Sequence, residues 1–255
     1  MRDVEVVRAY YAKILPFYEK ETVANAHPAF WRGLARRWRP ARILEIGSGL
    51  GQVSAALSRE APTFGIDVSL DMLLRARRGR SVSGARFVAA DAREAVFGCS
   101  FDLIVAPSDP FCHLTKVRDR RRALGSVARQ LAPEGRFVLD ALYRPGQEVL
   151  TFGRRVRYSG GVLRIDEMWR PGRGRDLWRA TYRFSDFRGG KRSRTLEASF
   201  LARAWDPREI EPLFAACGLA VEKVWGDFGN HRFLTASRRL IVVARRPARF
   251  LHGEG

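Results

Sequence analysis

The chain has 255 residues and a mass of 28.9 kDa, enough to bury one substantial core and a small additional lobe. Hydrophobic residues make up 46% of the sequence and charged residues 29%, values that exclude collagen-like, disordered and disulfide-scaffold proteins. Lys and Arg number 46 against 27 Asp and Glu, so the formal net charge is +19. Only five of these cations are lysines, so a genome-wide Arg-for-Lys bias explains the charge as well as an acidic partner does.

Cysteine usage and hydropathy predict the compartment. Cys99, Cys112 and Cys217 are spaced too widely for a CxxC metal or redox pair, so no metal site is predicted. The N-terminal segment has early acidic residues and lacks an apolar signal core, and no apolar run approaches the ~20 residues of a membrane span. We therefore expect a soluble, cytoplasmic protein with reduced thiols and no membrane partner.

Five short apolar runs predict the parallel strands of an α/β sheet, because each is followed by a helix-like or loop segment. They are residues 42–46, 63–67, 86–90, 101–106 and 135–141. Apolar residues at helical spacing from Val117 to Leu131 predict a helix before the last of these strands. The Pro and Gly of LAPEGRF then predict a stop between that helix and the strand.

The pattern changes to a period of two over residues 149–205, with Gly-rich turns at 159–161, 172–174 and 189–190. It predicts a four-stranded antiparallel meander with one packed face and one basic, solvated face. Asp206 and Pro207 then predict the start of a helix that ends at Gly218.

The last two predicted strands are residues 219–226 and 238–245. Only about a dozen residues without a helical period separate them, whereas a parallel crossover usually includes a helix. We therefore predict a hairpin in which the final strand is antiparallel to the rest of the sheet.

The most informative motif is ILEIGSGLG at residues 43–51, a strand that ends in an acid and leads through three glycines into a helix. Glycines allow a tight turn and a close approach to a ligand. The dinucleotide fingerprint would place its third glycine at position 52, which is Gln52. An acid at Glu45 would repel a pyrophosphate and suits a ligand with an amino group, which favours S-adenosylmethionine over NAD.

Two further acids stand at successive predicted strand ends. Asp67 follows Glu45 by 22 positions, where a carboxylate accepts hydrogen bonds from both ribose hydroxyls. Asp91 ends the next strand, in a position to accept a hydrogen bond from an adenine amine. Ordinary solvated strand-end acids are the alternative reading of each residue, but three acids around one glycine loop form a specific constellation.

With these residues, the chain resembles the class I S-adenosylmethionine-dependent methyltransferases. The resemblance runs from Arg42 to Ala141 through LEIGSGLG, GIDVSLDML, FVAADAR, FDLIVAPSD and LAPEGRFVLDA. It implies a Rossmann-like, doubly wound sheet of seven strands with the last strand antiparallel. The outer segments are similar to the small-molecule branch that contains sugar-amine N-methyltransferases, through two lid tyrosines, PFCHL (110–114), WGDFGNHRF (225–233) and an antiparallel insertion after strand 5.

The resemblance also implies a division of the chain and a set of cofactor-binding residues. The parts are an N-terminal helical lid (1–40), a methyltransferase core (41–148 and 206–246), an inserted antiparallel lobe (149–205) and a tail (247–255). The implied cofactor contacts are Glu45, Gly47, Ser48 and Gly49 for the methionine portion, Asp67 for the ribose, Val68 and Met72 for an adenine wall, Asp91 and Ala92 for the adenine edge, Ala106 on the sulfonium side, and Tyr10 and Tyr18 as the closing lid. Ser48 departs from the family, which commonly has Cys there.

Methyl transfer from a sulfonium is an in-line displacement that requires alignment and exclusion of water. An amine acceptor needs only to be deprotonated, whereas a hydroxyl acceptor needs a general base. His113, in the loop after FDLIVA, is the candidate catalytic residue, and capping of the next helix is its alternative role. Asp109 and His231 are the other ionisable candidates for this end of the sheet.

The positive charge is concentrated in the inserted lobe, where 14 basic and five acidic residues give a net charge of +9. It would suit a small acceptor with a phosphate or nucleotide handle, because arginine forks match phosphate. Alternatives are RNA stacked on Trp169, Trp178 or Tyr182, and a solvated sheet face or homodimer interface. We expect methyl transfer to N or O of a small molecule; the alternatives are an RNA methyltransferase and a non-catalytic cofactor-binding module.

Overall fold

The computed structural model describes residues 2–25, 27–79, 84–144, 146, 148–174 and 176–247; beyond Pro247 the predicted tail lies outside these residues. The helices are α1 (Arg2–Asn25), α2 (Pro28–Trp38), α3 (Gln52–Leu57), α4 (Leu70–Arg78), a 3₁₀ turn (Pro110–His113), α5 (Val117–Gln130) and α6 (Pro207–Ala215). The strands are β1 (Ile43–Ile46), β2 (Thr63–Asp67), β3 (Ala85–Ala89), β4 (Phe101–Ala106), β5 (Leu131–Ala141), β6 (Leu150–Tyr158), β7 (Gly161–Pro171), β8 (Leu177–Arg188), β9 (Lys191–Arg203), β10 (Ala220–Trp225) and β11 (Leu240–Arg245). No helix in these ranges is long and apolar enough to cross a membrane.

Seven strands form the main sheet in the order β10-β11-β5-β4-β1-β2-β3. The pairs within β5-β4-β1-β2-β3 are parallel, while β11 runs antiparallel to both β5 and β10. The predicted fold class and the antiparallel last strand are therefore confirmed. Because the order reverses between β1 and β4, the carboxyl ends of these two strands flank a crevice where ligands bind in open α/β sheets.

Helices cover both faces of this sheet, so its central strands are buried on both sides. All four residues of β1 are buried, as are five of the six residues of β4. On one face Phe137 packs with Phe214 of α6; on the other, Trp31 and Leu34 of α2 pack with β1 and β11. This two-sided burial explains why the strands read as continuous apolar runs in the sequence.

The start of β5 differs from the prediction. The Pro and Gly of LAPEGRF do not separate helix from strand, because β5 already begins at Leu131. Leu131 pairs with Phe101 and Arg136 pairs with Leu103, so a register shift accommodates the extra residues. A Cβ at Gly135 would lie 2.8 Å from the Phe101 carbonyl oxygen, so this irregular stretch requires glycine.

The inserted lobe is the predicted four-stranded antiparallel meander, in the order β6-β7-β8-β9. Its inner face buries Trp178, Ala180 and Phe184, whereas Arg179 and Arg183 on alternate positions are exposed. The period of two in the sequence thus correctly predicted that the inserted sheet has one packed face and one exposed, basic face.

Helix α1 packs on this inner face. Its Tyr10, Ile14 and Phe17 are buried in one cluster with Leu163, Ile165, Phe184 and Ala198 of the inserted sheet. The rings of Phe17 and Phe184 stack with centroids 5.4 Å apart, and Lys20 forms an ion pair with Asp186 at 2.8 Å. Near its start α1 crosses the main sheet edge, where Arg8 Nε donates to the Val68 carbonyl oxygen at 2.7 Å.

One carboxylate joins the two connections between the lobe and the core. Asp109 Oδ2 accepts from the backbone N–H of Leu142, before the lobe, and from Trp205 Nε1, after it, at 2.7 and 2.8 Å. The guanidinium of Arg120 lies 4.0 Å from the Trp205 ring and donates to the Ala204 carbonyl oxygen. Asp109 therefore has a structural role at the root of the insertion.

Replacing Asp109 by Ala should lower the free energy of unfolding by about 3 kcal/mol, because two buried N–H donors lose their charged acceptor. Urea unfolding measures this change, with Asp71→Ala on the exposed face of α4 as the matched control. A loss below about 1 kcal/mol for Asp109→Ala would show that the insertion is held in place by other contacts.

Candidate active site

The glycine loop at the end of β1 turns on residues with positive φ angles: Gly47 (72°), Gly49 (51°) and Gly51 (75°). The backbone N–H groups of Gly47 and Ser48 donate to the Ile66 carbonyl oxygen at 2.8 and 2.9 Å, which ties the loop to β2. A Cβ at Gly49 would meet no atom within 4 Å, so the loop is open at this position. The sequence places an open backbone cradle at the crevice between β1 and β4.

Asp67 at the end of β2 is fixed against this loop. Its Oδ2 accepts from Gly49 N–H at 2.9 Å, and its Oδ1 accepts from Ser69 N–H at 2.8 Å. Burial raises the pKa of Asp67, and these backbone hydrogen bonds oppose that shift. Each carboxylate oxygen retains a second lone pair, so the group is oriented and still able to accept hydroxyl donors.

The third strand-end acid, Asp91, already has a partner that the sequence reading missed. Arg93 contacts both carboxylate oxygens, with Nη2 2.6 Å from Oδ2 and Nε 3.1 Å from Oδ1. Burial raises the pKa of Asp91, but the hydrogen bonds from Arg93 outweigh it and the pKa is lowered. The sequence Asp91-Ala92-Arg93 was the signal that could have predicted this ion pair.

Glu45 is buried, with 2% of its surface exposed, and accepts a short hydrogen bond from the Ser54 hydroxyl. Burial raises its pKa to about 8, and none of the described Lys, Arg or His side chains forms an ion pair with it. Close by in the loop, Ser48 Oγ is buried without a hydrogen-bond partner among the described residues. An acid without a cation and a hydroxyl without a partner mark a place for a polar ligand group.

Two cavities meet at this end of the sheet. The edge cavity, about 120 Å³, runs along the ends of β1 to β3 and is lined by Gly47, Gly49, Asp67, Val68, Met72, Asp91 and Ala92, with Asp3, Val4 and Val7 of α1 above them. The inner cavity, about 690 Å³, lies beneath the inserted sheet. Both cavities are lined by Tyr11, Tyr18, Gly47, Gly49, Pro107, Ser108 and His113, which we call the shared wall.

The inner cavity has aromatic and charged sides. Besides Tyr11 and Tyr18 of the shared wall, its aromatic residues are Tyr10, Tyr143, Trp169, Tyr182, Phe184 and Phe200. Besides Glu45, its charged residues are Glu21, Asp109, Asp140, Arg144, Arg154, Glu167, Arg238 and Arg239. Arg154 pairs with both Glu21 and Glu167, and Arg239 pairs with Asp140 at 2.9 Å. Arg144 has no ion pair with a described acid; its guanidinium lies 4.4 Å from the Trp169 ring.

Not every predicted residue lies in the edge cavity. Glu45 and Ser48 line the inner cavity only, and Ala106 is fully buried beside Pro107 and lines neither. Tyr10 packs against Phe200, with ring centroids 4.8 Å apart, and lines the inner cavity alone.

Tyr11, rather than Tyr10, stands with Tyr18 in the shared wall. Seven residues are nearly two full turns of an α-helix, so Tyr11 and Tyr18 share one side, whereas a spacing of eight rotates Tyr10 away from it. The helical period was the signal that could have identified the pair.

His113 is in the shared wall, at the end of the 3₁₀ turn. A hydrogen bond of 3.0 Å joins its Nε2 to the Tyr11 hydroxyl, and its ring lies 4.8 Å from that of Phe200. Burial lowers the pKa of His113 to about 4, so the imidazole is neutral at pH 7. It does not cap α5, which begins after Lys116 without a side-chain cap.

His231 lies elsewhere: its side chain is 79% exposed, pairs with Asp227 and lines neither of the two cavities.

Comparisons with known proteins identify the domain. Residues 43–135 match the family model for a methyltransferase domain, whereas no curated protein matches the chain. The S-adenosylmethionine-bound structure of CalS10, an amino pentose methyltransferase from Micromonospora echinaspora, has 24% identity, covers 86% of this chain and 90% of its own, and gives a TM-score of 0.73. The structure of Streptomyces venezuelae DesVI has 22% sequence identity to this chain, covers 92% of this chain and 98% of its own, and gives a TM-score of 0.77. The sugar N-methyltransferase KedS8 from a Streptoalloteichus species has 20% sequence identity, covers 91% of this chain and 92% of its own, and gives a TM-score of 0.69.

Residues 43–135 therefore match a methyltransferase domain, and the strand order and the similar structures show the class I methyltransferase fold. The residues at this end of the sheet would fit S-adenosylmethionine, which the CalS10 structure holds. Glu45 provides an acid for an amino group, Ser48 a free hydroxyl, and Gly49 an open backbone position next to the oriented carboxylate of Asp67.

The raised pKa of Glu45 makes stability depend on pH. Its pKa is about 8 in the folded protein against 4.5 ordinarily, so the folded state binds the proton more tightly. The free energy of unfolding of the cofactor-free protein should therefore fall as pH rises from about 5 to about 8, by up to ~1.4 kcal/mol per pH unit. In Glu45→Gln this contribution should be absent, whereas Glu134→Gln, at an exposed position, should keep it. Equal pH slopes in the wild type and Glu45→Gln by urea unfolding would disprove the assignment.

Proposed function

We propose that this enzyme methylates an amine nitrogen of a small molecule bound in the inner cavity. The observation that carries the proposal is the shared wall: the edge cavity and the inner cavity meet at Tyr11, Tyr18 and His113. A methyl donor and an acceptor would react where the two cavities meet. The relatives CalS10 and KedS8 are described as amino pentose and sugar N-methyltransferases, which supports a small amine-bearing acceptor.

In this proposal the nucleoside portion of the cofactor lies along the edge cavity and its methionine portion extends past the shared wall into the inner cavity. When bound, the cofactor supplies an electrophilic methyl group. Glu45 pairs with its amino group, and Asp67 accepts from the ribose hydroxyls. The remaining contacts are Gly47, Ser48 and Gly49 with the methionine portion, Val68 and Met72 as the adenine wall, and Asp91 and Ala92 at the adenine edge. Tyr11 and Tyr18 cover the place where the two cavities meet and exclude water from it.

The electrostatics of His113 support nitrogen as the acceptor atom. An alcohol would need a base to remove its proton in the transition state, and a buried imidazole with a pKa of about 4 is a weak one. A neutral amine already carries the lone pair that attacks. We therefore propose that His113, through its hydrogen bond to Tyr11, positions the shared wall and the acceptor and does not remove the proton.

An anionic handle on the acceptor would be bound by core residues and not by the basic face of the insertion. Among the described basic residues of the inserted lobe, Arg154 alone lines the inner cavity, and it is occupied by Glu21 and Glu167. Arg144 and Arg238 come from loops after β5 and before β11. We propose Arg144 as the principal contact of a phosphate or other anionic group, since a buried guanidinium without an acidic partner favours an anion.

The RNA alternative finds little support in the inserted sheet. Trp169 and Trp178, which would have stacked on bases, face inward with 3% and 1% of their surface exposed. On the outer face, Arg164 and Arg183 pair with Asp166 and Glu197. Base stacking needs exposed aromatic faces, so the small-molecule acceptor is the better reading.

Methyl transfer from labelled S-adenosylmethionine tests the proposal. We expect label in small primary amines, including an amino sugar, and none in transfer RNA or ribosomal RNA. Label in RNA, or in alcohols but not amines, would contradict it. The His113→Gln variant should keep the wild-type pH profile of transfer; a new dependence on high pH would show that His113 is the base after all.

A further inference from the structure

Asp109 is an acid of the inner cavity that no neighbouring cation pairs with. It lines the cavity, has 2% of its surface exposed and forms no ion pair within the described part of the chain. Apart from Glu45, which the proposed function assigns to the cofactor, the other acids of the cavity wall each pair with an arginine: Glu21 and Glu167 with Arg154, and Asp140 with Arg239. A buried carboxylate without a cation is costly, so a cationic ligand group would stabilise Asp109.

The two carboxylate oxygens of Asp109 have different surroundings. Oδ2 accepts the structural hydrogen bonds from Leu142 and Trp205. Oδ1 is the one carboxylate oxygen among the described residues that is buried without a hydrogen-bond partner. Arg120 acts on the carboxylate through its charge, but its N–H groups donate to backbone carbonyl oxygens of Arg203 and Ala204 instead. Oδ1 therefore keeps its full capacity to accept an N–H group.

The backbone at Asp109 has an unfavourable conformation. Ser108 and Asp109 have φ angles of 55° and 47°, in the left-handed region that residues with a Cβ seldom occupy. The Asp109 side chain does not cap the 3₁₀ turn that begins at Pro110, so capping does not explain this conformation. Ser108 lies in the shared wall, and Asp109 lines the inner cavity next to it, just before the turn that ends at His113. Strained residues of this kind cluster at functional sites.

We infer that Asp109 binds the amino group of the acceptor through Oδ1 and removes its proton. The inference rests on the proposed function, because it requires an amine in the inner cavity. An alkyl amine is mainly an ammonium ion at neutral pH and has no free lone pair until it loses a proton. The buried imidazole of His113, with a pKa of about 4, is a weaker base. A carboxylate supplies both the charge that attracts the ammonium and the lone pair that accepts its proton.

The proton transfer balances in charge. One N–H bond of the ammonium breaks as an O–H bond forms at Oδ1, which converts an ion pair into a neutral amine and a neutral carboxylic acid. The nitrogen lone pair then attacks the methyl group, and the positive charge of the methyl donor passes to the nitrogen. Asp109 returns the proton to solvent after the product leaves. An alcohol is a far weaker acid than an ammonium ion, so this carboxylate serves an amine better.

The surroundings of Asp109 suit this exchange. Burial raises its pKa to about 6 and would lower the pKa of a bound ammonium, which brings the two groups closer in proton affinity. The charge of Arg120 on α5 and the hydrogen bonds to Oδ2 oppose the rise, whereas the charge of Asp140 on β5 adds to it. Cys112, in the same 3₁₀ turn, stays neutral because burial raises the pKa of its thiol.

The pH profile of methyl transfer to cyclohexylmethylamine, at saturating S-adenosylmethionine, tests this role. In the wild type, kcat/KM for the amine should rise up to about pH 6, where Asp109 ionises, and then stay level until the amine itself titrates. Asp109→Asn keeps an amide oxygen for Leu142 and Trp205 but provides no base. Its kcat/KM at pH 7 should be about a hundredfold lower and should rise with pH throughout, because only the neutral fraction of the amine then reacts. An unchanged rate and profile in Asp109→Asn would overturn the inference.

Trp205→Phe separates the catalytic role from the structural one. It removes one hydrogen bond to Oδ2 and leaves Oδ1 in place, so we expect a lower urea midpoint together with the wild-type pH profile. Asp71→Asn, at an exposed position of α4, should change neither property. Unchanged affinity for S-adenosylhomocysteine would show that Asp109→Asn is folded. If Trp205→Phe loses the level region of the profile as Asp109→Asn does, the carboxylate acts only through the fold.

Calorimetry on protein saturated with S-adenosylhomocysteine separates this inference from the proposed function. At pH 7 the wild type should bind cyclohexylmethylamine about tenfold or more tightly than Asp109→Asn does, and this advantage should disappear as the pH falls below about 6. If the amine is methylated with the same pH profile in both proteins, the inference is wrong and the proposed function stands. If the amine binds through Asp109 but no amine is methylated, the proposed function is wrong and the amine-binding site stands. Equal affinities in the two proteins would contradict the site itself.

Discussion

The packing of α1 on the inserted sheet is the contact on which both cavities depend. Tyr10, Ile14 and Phe17 bury one side of the helix against the inner face of that sheet. Other sides of the same helix supply Asp3, Val4 and Val7 to the edge cavity and Tyr11 and Tyr18 to the shared wall. Without this apolar contact both cavities would lose the lining that α1 supplies. The inserted lobe therefore does more than add a surface, because it helps to fix the helix that lines both cavities.

Charge is divided between the inside and the outside of the molecule. The strand-end acids stand where the polar groups of the cofactor lie in the proposed binding mode. Burial leaves Glu45 with a raised pKa, which a cationic amino group would lower again. The large positive charge of the inserted lobe mostly faces outward, where Arg183 and similar residues form exposed pairs that contribute little to stability. Arg144 and Arg238, from the core, are cations of the inner cavity without an acidic partner among the described residues.

Local sequence patterns predicted most of the fold, because glycine spacing, apolar runs and alternation of residues are properties of short segments. They did not predict the start of β5, since the register shift beside Phe101 depends on pairing with another strand. Tyr11, and not the predicted Tyr10, stands with Tyr18 in the shared wall; the helical period could have paired these two residues, but only packing fixes which side of α1 faces the cavities. Likewise the sequence predicted Asp109 only as an ionisable candidate of the site, because its contacts with Leu142 and Trp205 come from residues far along the chain.

Because α1 lines both cavities, we expect that occupancy of one favours binding in the other. The most direct test is the affinity for cyclohexylmethylamine, measured by calorimetry with and without saturating S-adenosylhomocysteine. We predict that the amine binds at least about tenfold more tightly to the protein that already holds S-adenosylhomocysteine, because the first ligand has then already ordered the helix that lines both cavities. Equal affinities in the two states would contradict the coupling between the two halves of the active site.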